Sequence, residues 1–266
     1  MAKSQRLIAN KMKKKKLVIK IGSSTLTAET DRISRGKIED IARQILELRE
    51  EYDIVLVSSG AVAAANQIII ANRWEKDVKS KQAKAAIGQP ILLQIYNEVF
   101  RDFEIRTAQC LLTYNDFERL TSRKNTKNTI NELLNMGYIP IVNENDTVSV
   151  KEIEVGDNDK LSAYVAALIG ADLLVLVSDI NGIYTKNPHL HKDAKLILEV
   201  NDLKLVEQFI EERESSLGTG GMTTKLEAAQ LCFDYDVEMY IANGKDNNFL
   251  IDVLSGKNTC TKFSKK

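Results

Sequence analysis

Runs of branched and aliphatic residues recur along the chain at 17–21, 54–57, 108–112, 139–142, 173–177 and 237–241. Their length and β-branched content predict short strands. Between them the apolar residues fall at helical spacing, most clearly at Ile38, Ile41, Ile45 and Leu48. The runs are apolar at successive rather than alternate positions, as strands are when both faces are covered. Strand and helix in alternation then predict an α/β fold, a three-layer α/β/α sandwich with a mainly parallel central sheet. One residue breaks the pattern, because Lys20 stands inside the first run. Burying an unpaired ammonium is costly, so Lys20 reaches an anion or a carboxylate at the strand end, the alternative being a lysine that snorkels to the surface.

Composition narrows the class. The 266 residues and 44% hydrophobic content furnish a core that folds without staples. Thirty-seven basic residues balance 37 acidic ones, so no overall field recommends nucleic acid or a membrane, and the partner is a small molecule. No apolar run has the length of a transmembrane helix. Cys110, Cys232 and Cys260 are widely spaced with no C-x-x-C, and Cys110 reads as a small buried hydrophobe; this suits a reducing cytoplasm. Three prolines and no Gly/Ser-rich linker give no internal boundary, so residues 17–266 read as one domain. Residues 1–16, with Lys11 and the lysines at 13–16, read as a disordered basic extension and not as a secretion signal.

The polar residues concentrate in two clusters, Asn143-Glu144-Asn145-Asp146 and Gly156-Asp157-Asn158-Asp159. Either alone could be a turn, and Asp157 or Asn158 could cap the helix that follows. Together they are denser in carboxamides and carboxylates than turns require, and they suit a small ligand carrying an ammonium group. Three strand ends also break into small residues: Gly22-Ser23-Ser24, Ser58-Ser59-Gly60-Ala61, and the loop 218–225 that ends at Lys225. Such turns expose successive N–H donors to an anion. Neither a G-x-x-x-x-G-K-[ST] loop nor a G-x-G-x-x-G fingerprint is present. Lys225, taken alone, reads as a solvated first-turn lysine. His189 and His191 form an H-x-H pattern with no evident third ligand and read as loop residues.

The motifs IKIGSS, SSGAVAA, KQAKAAIGQ, IPIVNEND, GDNDKLSA, SDINGIYT and GTGGMTTKLEAA follow one another between about residues 17 and 256. In this order they resemble the amino-acid kinases, and within them the glutamate 5-kinases. The resemblance implies Mg²⁺-dependent transfer of the γ-phosphoryl group of ATP to the side-chain carboxylate of L-glutamate, the first step of proline biosynthesis. By it, Lys20 and Lys225 stabilise the transferring group and Asp159 orients them. Ser59, Gly60, Ala61, Asn143, Asp146, Asp157 and Asn158 match the amino-acid pocket. Gly22, Ser23, Ser178, Asp179, Thr219, Gly220, Gly221, Met222, Thr223 and Thr224, with both lysines, match the nucleotide side, and no side chain is assigned as a metal ligand. Feedback inhibition by proline, hand-over of product to a glutamyl-phosphate reductase and a homodimer or homotetramer are implied in the same way.

There are departures from the pattern. Ser23 and Ser178 stand where threonine is common and Ala65 stands where glycine is usual. Many relatives carry a C-terminal PUA domain, and the expectation here is a kinase domain without one. Acidic residues in the pocket favour a free α-ammonium over an acetylated amine, which would leave a buried carboxylate unpaired. Aspartate stays open on this ground, since one methylene is poorly readable. Another amino-acid kinase, for aspartate or acetylglutamate, or a catalytically silent sensor is the alternative reading.

Overall fold

The computed structural model describes residues 14–28, 30–69, 77–149, 158–186, 188, 190–206, 209, 220–257 and 259–265. Along these the chain forms β1 (Lys15–Ile21), α1 (Ser23–Thr27), α2 (Arg35–Leu48), β2 (Tyr52–Ser58), α3 (Ala61–Asn66), α4 (Val78–Asp102) and β3 (Arg106–Leu112). It continues through α5 (Asn115–Glu118), α6 (Leu120–Asn135), β4 (Tyr138–Glu144), α7 (Asp159–Ile169), β5 (Leu173–Ser178) and β6 (Glu199–Val200). The last elements are α8 (Gly220–Asp234), β7 (Glu238–Asn243), α9 (Phe249–Leu254) and β8 (Thr261–Phe263).

All eight strands lie in one sheet of order β3-β4-β2-β1-β5-β7-β8-β6. The β1–β2, β1–β5, β2–β4, β3–β4 and β5–β7 pairs are parallel; β8 runs antiparallel to β7, and β6 pairs parallel with β8. From β1 the connections step towards β2 and then β3, whereas from β3 onwards they step back towards β4, β5 and β7. Right-handed crossovers place these two sets on opposite faces. The core follows suit. Leu17, Ile19 and Ile21 pack with Ile38, Ile41, Ile45, Tyr96 and Phe100 of α2 and α4, and Val18 packs with α7 and α8 on the other face.

Two consequences place the site. Connections leave β1 and β5 in opposite directions although the strands are neighbours, and this opens a crevice at their carboxyl ends, the usual ligand position in such sheets. Side chains alternate along a strand, so Lys20 shares the face of Val18 and points towards α7. A third constraint acts from above. α4, begun by Asp77 accepting from the Ser80 N–H at 2.9 Å, touches α3 backbone to backbone at Gly88. A Cβ there would stand 1.7 Å from the Ala61 carbonyl oxygen and 2.9 Å from the Ala65 nitrogen. The alanines of SSGAVAA and the glycine of KQAKAAIGQ thus form one packing contact, and Ala65 is fully buried in it.

The six expected strands are present, with ends displaced by up to two residues, and two expectations are corrected. β1 begins at Lys15, so Lys15 and Lys16 belong to the sheet; Lys16 Nζ donates to Asn131 Oδ1 at 2.9 Å and to the Ile169 carbonyl at 2.8 Å. Residues 1–13 of the expected extension lie outside the described residues. Cys110 is half-buried and not enclosed, because β3 is the edge strand and only one of its sides is paired. Among the described residues no helix is long and apolar enough to cross a membrane.

Candidate active site

At the crevice between β1 and β5 the chain gathers two ammonium groups on one carboxylate. Lys20 Nζ lies 2.6 Å from Asp159 Oδ1, and Lys225 Nζ lies 2.9 Å from Asp159 Oδ2. The Asp159 side chain is 0% exposed and the lysines are 7% and 10% exposed, so all three charges are held out of water. Asp159 opens α7, where the helix dipole favours a negative charge, and Lys225 also donates to the Gly221 carbonyl at 3.1 Å across one turn of α8. Three separate segments supply the three groups, so the fold and not local sequence brings them together. A single buried Lys–Asp pair would be neutral. Two cations and one anion carry a net positive charge, which suits an anionic ligand at the crevice.

Asn158, the residue before Asp159, ties the next part of the site together. It stands at the N-cap of α7, yet its side chain makes no cap hydrogen bond. Instead Nδ2 donates to Asn143 Oδ1 at 2.8 Å, Ser59 Oγ at 3.1 Å and the Ser58 carbonyl at 3.2 Å. The carbonyl can only accept, which fixes the orientation of the amide. Asn143 Oδ1 also accepts from the Glu144 N–H at 2.8 Å, so the ends of β2 and β4 are linked through α7. Asn158, Asn143, Glu144 and Ser59 wall a cleft of about 520 Å³ together with Ser23, Gly60, Ala61, Lys81 and Asp146. Gly60 makes the turn into α3 with φ +102°, a conformation only glycine adopts readily, and Leu26 and Ile33 would crowd a Cβ there at 3.1 and 3.2 Å.

A second hollow, of about 550 Å³, lies on the other side of α1 and is lined by Thr25, Lys37, Asp179, Gly244 and Lys245. Ser24, Thr27 and Thr30 border both spaces, so the short helix α1 forms a partition. Ser178 Oγ donates to Asp179 Oδ1 at 3.2 Å, and the Gly244 N–H donates to the Ser178 carbonyl at 2.8 Å. Gly22 links this region to the charged centre, because a Cβ on it would lie 3.7 Å from Lys20 Nζ and 3.8 Å from Ser24 Oγ. Among the described residues no group of three or more His, Cys, Asp or Glu gathers as a metal site.

Most of the residues singled out in the sequence thus converge. Lys20, Asp159 and Lys225 touch; Ser59, Gly60, Ala61, Asn143, Asp146 and Asn158 share one cleft; Asp179 lines the neighbouring hollow beside Ser178. Asp157 and Thr219 lie outside the described residues, as does His189, while His191 is exposed. Three placements differ from the sequence reading. Lys225 is not a solvated first-turn lysine but a buried one, the sixth residue of α8. Residues 220–225 are helix and not loop, and the Met222 side chain joins the core under α8. Ser23, expected on the nucleotide side, lies on the wall of the cleft with Ser59. Gly244 and Lys81 were missed. Gly244 ends a strand in small residues just as Gly22 and Gly60 do, and Lys81 stands inside the KQAKAAIGQ motif, so both carried a signal. Asp31, which also lines the cleft, carried none.

Comparison with known proteins bears on the whole assembly. The model of the amino acid kinase family matches residues 15–243. A glutamate 5-kinase from Alkaliphilus metalliredigens is 43% identical over 255 residues, covering 94% of this chain and 96% of that protein. One from Caldanaerobacter subterraneus subsp. tengcongensis is 41% identical over 256 residues, with 93% of this chain and 67% of that protein covered. One from Bacillus cereus is 41% identical over 248 residues, covering 92% and 68%. In fold, the crystal structure of a UMP kinase from Ureaplasma parvum superposes with a TM-score of 0.68 at 16% identity, over 96% of this chain and 100% of that one. The sheet order, the buried lysine pair and this degree of identity lead to one assignment: the chain belongs to the amino acid kinase family and, within it, to the glutamate 5-kinases.

Proposed function

We propose that the chain transfers the γ-phosphoryl group of ATP to the side-chain carboxylate of L-glutamate, giving L-glutamyl 5-phosphate for proline biosynthesis. The observation that carries this is the pair of buried lysines on one buried aspartate at the β1/β5 crevice. A carboxylate with an ordinary pKa of about 4.3 is already an anionic nucleophile at neutral pH, so no general base is needed. The obstacle is repulsion between that carboxylate and the phosphates. Lys20 and Lys225 oppose it from fixed positions, where preorganised charge stabilises the transferring group most effectively. Asp159, engaged by both ammoniums, organises them and takes no proton.

In the cleft, Asp146 supplies negative charge for the α-ammonium of glutamate. Ser59 Oγ accepts from Asn158 and has its own proton to give to a substrate carboxylate, with Asn143 holding the amide in place. Gly60 and Ala61 form the backbone wall beside it. Lys20, Gly22, Ser178, Asp179 and the start of α8, Gly220–Lys225, border the nucleotide. Mg²⁺ fits this donor set as a companion of ATP, since it keeps phosphate oxygens and waters as ligands and asks for few carboxylates. When bound it neutralises phosphate charge. The acyl phosphate product is a reactive mixed anhydride, which supports hand-over to a glutamyl-phosphate reductase. Proline as a ligand of the amino-acid cleft, a homo-oligomer and a cytoplasmic setting belong to the same reading; the free Cys110, Cys232 and Cys260 support the last.

The test is Mg²⁺- and ATP-dependent acyl phosphate formation, trapped as the hydroxamate, with L-glutamate, L-aspartate and N-acetyl-L-glutamate compared. Turnover selective for L-glutamate is expected. Selectivity for either competitor, or nucleotide binding without turnover on any of them, would overturn the reading.

A further inference from the structure

Beneath the cleft a tyrosine reaches out of the apolar layer to the end of β2. Tyr96, on the second turn from the end of α4, is 0% exposed, and Phe100 holds its ring edge-on with centroids 5.6 Å apart. Its neighbours in that layer, among them Ile19, Ile21, Leu56, Leu92 and Val99, are apolar, and a phenylalanine would fill the same volume. The hydroxyl nevertheless has a partner, Ser58 Oγ at 3.0 Å. Ser58 Oγ in turn donates to the Ser59 carbonyl at 2.9 Å. A serine hydroxyl has one proton, so with that proton directed at Ser59 the Tyr96 O–H must be the donor to Ser58. Burial pushes the Tyr96 phenol up to about 12, so the donor keeps its proton throughout the working range.

The direction of this relay matters because of where it ends. Tyr96 holds Ser58 Oγ, and Ser58 Oγ holds the Ser59 carbonyl, which fixes the rotation of the 58–59 segment. The groups displayed by that rotation are the Ser58 carbonyl and Ser59 Oγ, two of the three acceptors that anchor Asn158 Nδ2. The Ser59 N–H is meanwhile tied to the Ile21 carbonyl at 3.0 Å, so the segment is fastened from β1 on one side and from α4 on the other.

We propose that Tyr96 is a positioning residue for the amino-acid half of the site: through Ser58 its hydroxyl sets the angle at which Ser59 and Asn158 meet glutamate. The proposal rests on the reading of this cleft as the glutamate subsite. Neither Tyr96 nor Ser58 is among the residues that line the cleft, so neither touches the substrate. The relay does not reach Lys20, Asp159 or Lys225, so it governs substrate fit and not the charge that stabilises the transferring group.

The experiment is steady-state kinetics on Tyr96→Phe, Ser58→Ala and the double variant, with the thermal midpoint of each recorded. Removal of one hydrogen-bond step is expected to raise KM for L-glutamate about three- to tenfold. kcat and KM for ATP should stay within about twofold, and the double variant should be no worse than the poorer single variant, because both cut one relay. Ser58→Ala leaves the aromatic core untouched, so it keeps the test valid if Tyr96→Phe folds poorly. KM for glutamate unchanged in both single variants would overturn the proposal. So would a parallel loss of kcat and of affinity for both substrates that tracks a lowered thermal midpoint, the mark of a purely structural role. Failure of the glutamate reading itself would look different, since the unsubstituted chain would then show no glutamate-dependent turnover.

Discussion

The cleft under α3 and the charged centre beside it hold their groups by opposite means. In the cleft the central side chains are neutral and fixed by directional hydrogen bonds, Asn158 donating to Asn143, Ser59 and the Ser58 carbonyl within 3.2 Å, and Asp146 adds a negative charge on the wall beside them. In the centre, two full positive charges are held by one negative charge with side-chain exposures of 10% or less. Hydrogen bonds between neutral groups are individually modest but strongly angular, and they suit discrimination between similar substrates. Buried charges are costly to assemble and act at short range on developing charge, which suits acceleration of the chemical step. A site divided in this way should separate binding from turnover when it is damaged.

The largest effects are expected at the centre. Lys20→Ala and Lys225→Ala should each lower kcat by about 10²–10³-fold while leaving KM for glutamate nearly unchanged. Asp159→Ala should do comparable harm to kcat and also lower stability by about 3–5 kcal/mol, since two buried ammoniums lose their counter-charge; chemical denaturation measures the second effect. Next comes the cleft. Asn158→Ala should raise KM for glutamate by about tenfold or more, because one deletion strands three acceptors. Asp146→Ala should raise it by about tenfold through loss of a partner for the α-ammonium, and the loss should shrink for a substrate analogue that lacks this charge. Initial-rate measurements at saturating ATP distinguish these outcomes.

The smallest expected effect concerns alkaline stability. Burial raises the Tyr96 phenol and the Cys232 thiol each to about 12, above their ordinary values of 10.0 and 9.0. Both therefore stay protonated in the folded chain after the unfolded chain has lost those protons. Stability from this source is fully present below about pH 9 and is lost as pH rises towards about 12. Tyr96→Phe should flatten the part of that loss above about pH 10, which equilibrium unfolding at a series of pH values would register.

Legibility in the sequence followed the reach of each signal. Lys20 announced its role because a charge inside an apolar strand demands a partner, and Asp159 is that partner. The Asn and Asp clusters announced a site through density alone, and the sheet brings both of their described parts to one cleft. Strands β6 and β8 gave no warning, being two and three residues long and dependent on pairing with each other and with β7. Lys225 looked exposed because helix starts are usually solvated, and only the fold shows that α8 packs against α7 and buries it. Tyr96 was invisible for a related reason. At a helix position facing the core its ring reads as packing, and nothing local tells that its hydroxyl meets Ser58, 38 residues earlier in the chain.

The division between centre and cleft is tested most directly by full steady-state kinetics on Lys225→Ala and Asn158→Ala side by side, with both substrates varied. The predicted result is a crossed pattern, in which Lys225→Ala lowers kcat at near-constant KM for glutamate and Asn158→Ala raises that KM with kcat reduced less than tenfold. Equal losses of kcat and affinity in both variants would contradict it and show that the cleft and the centre act as one indivisible unit.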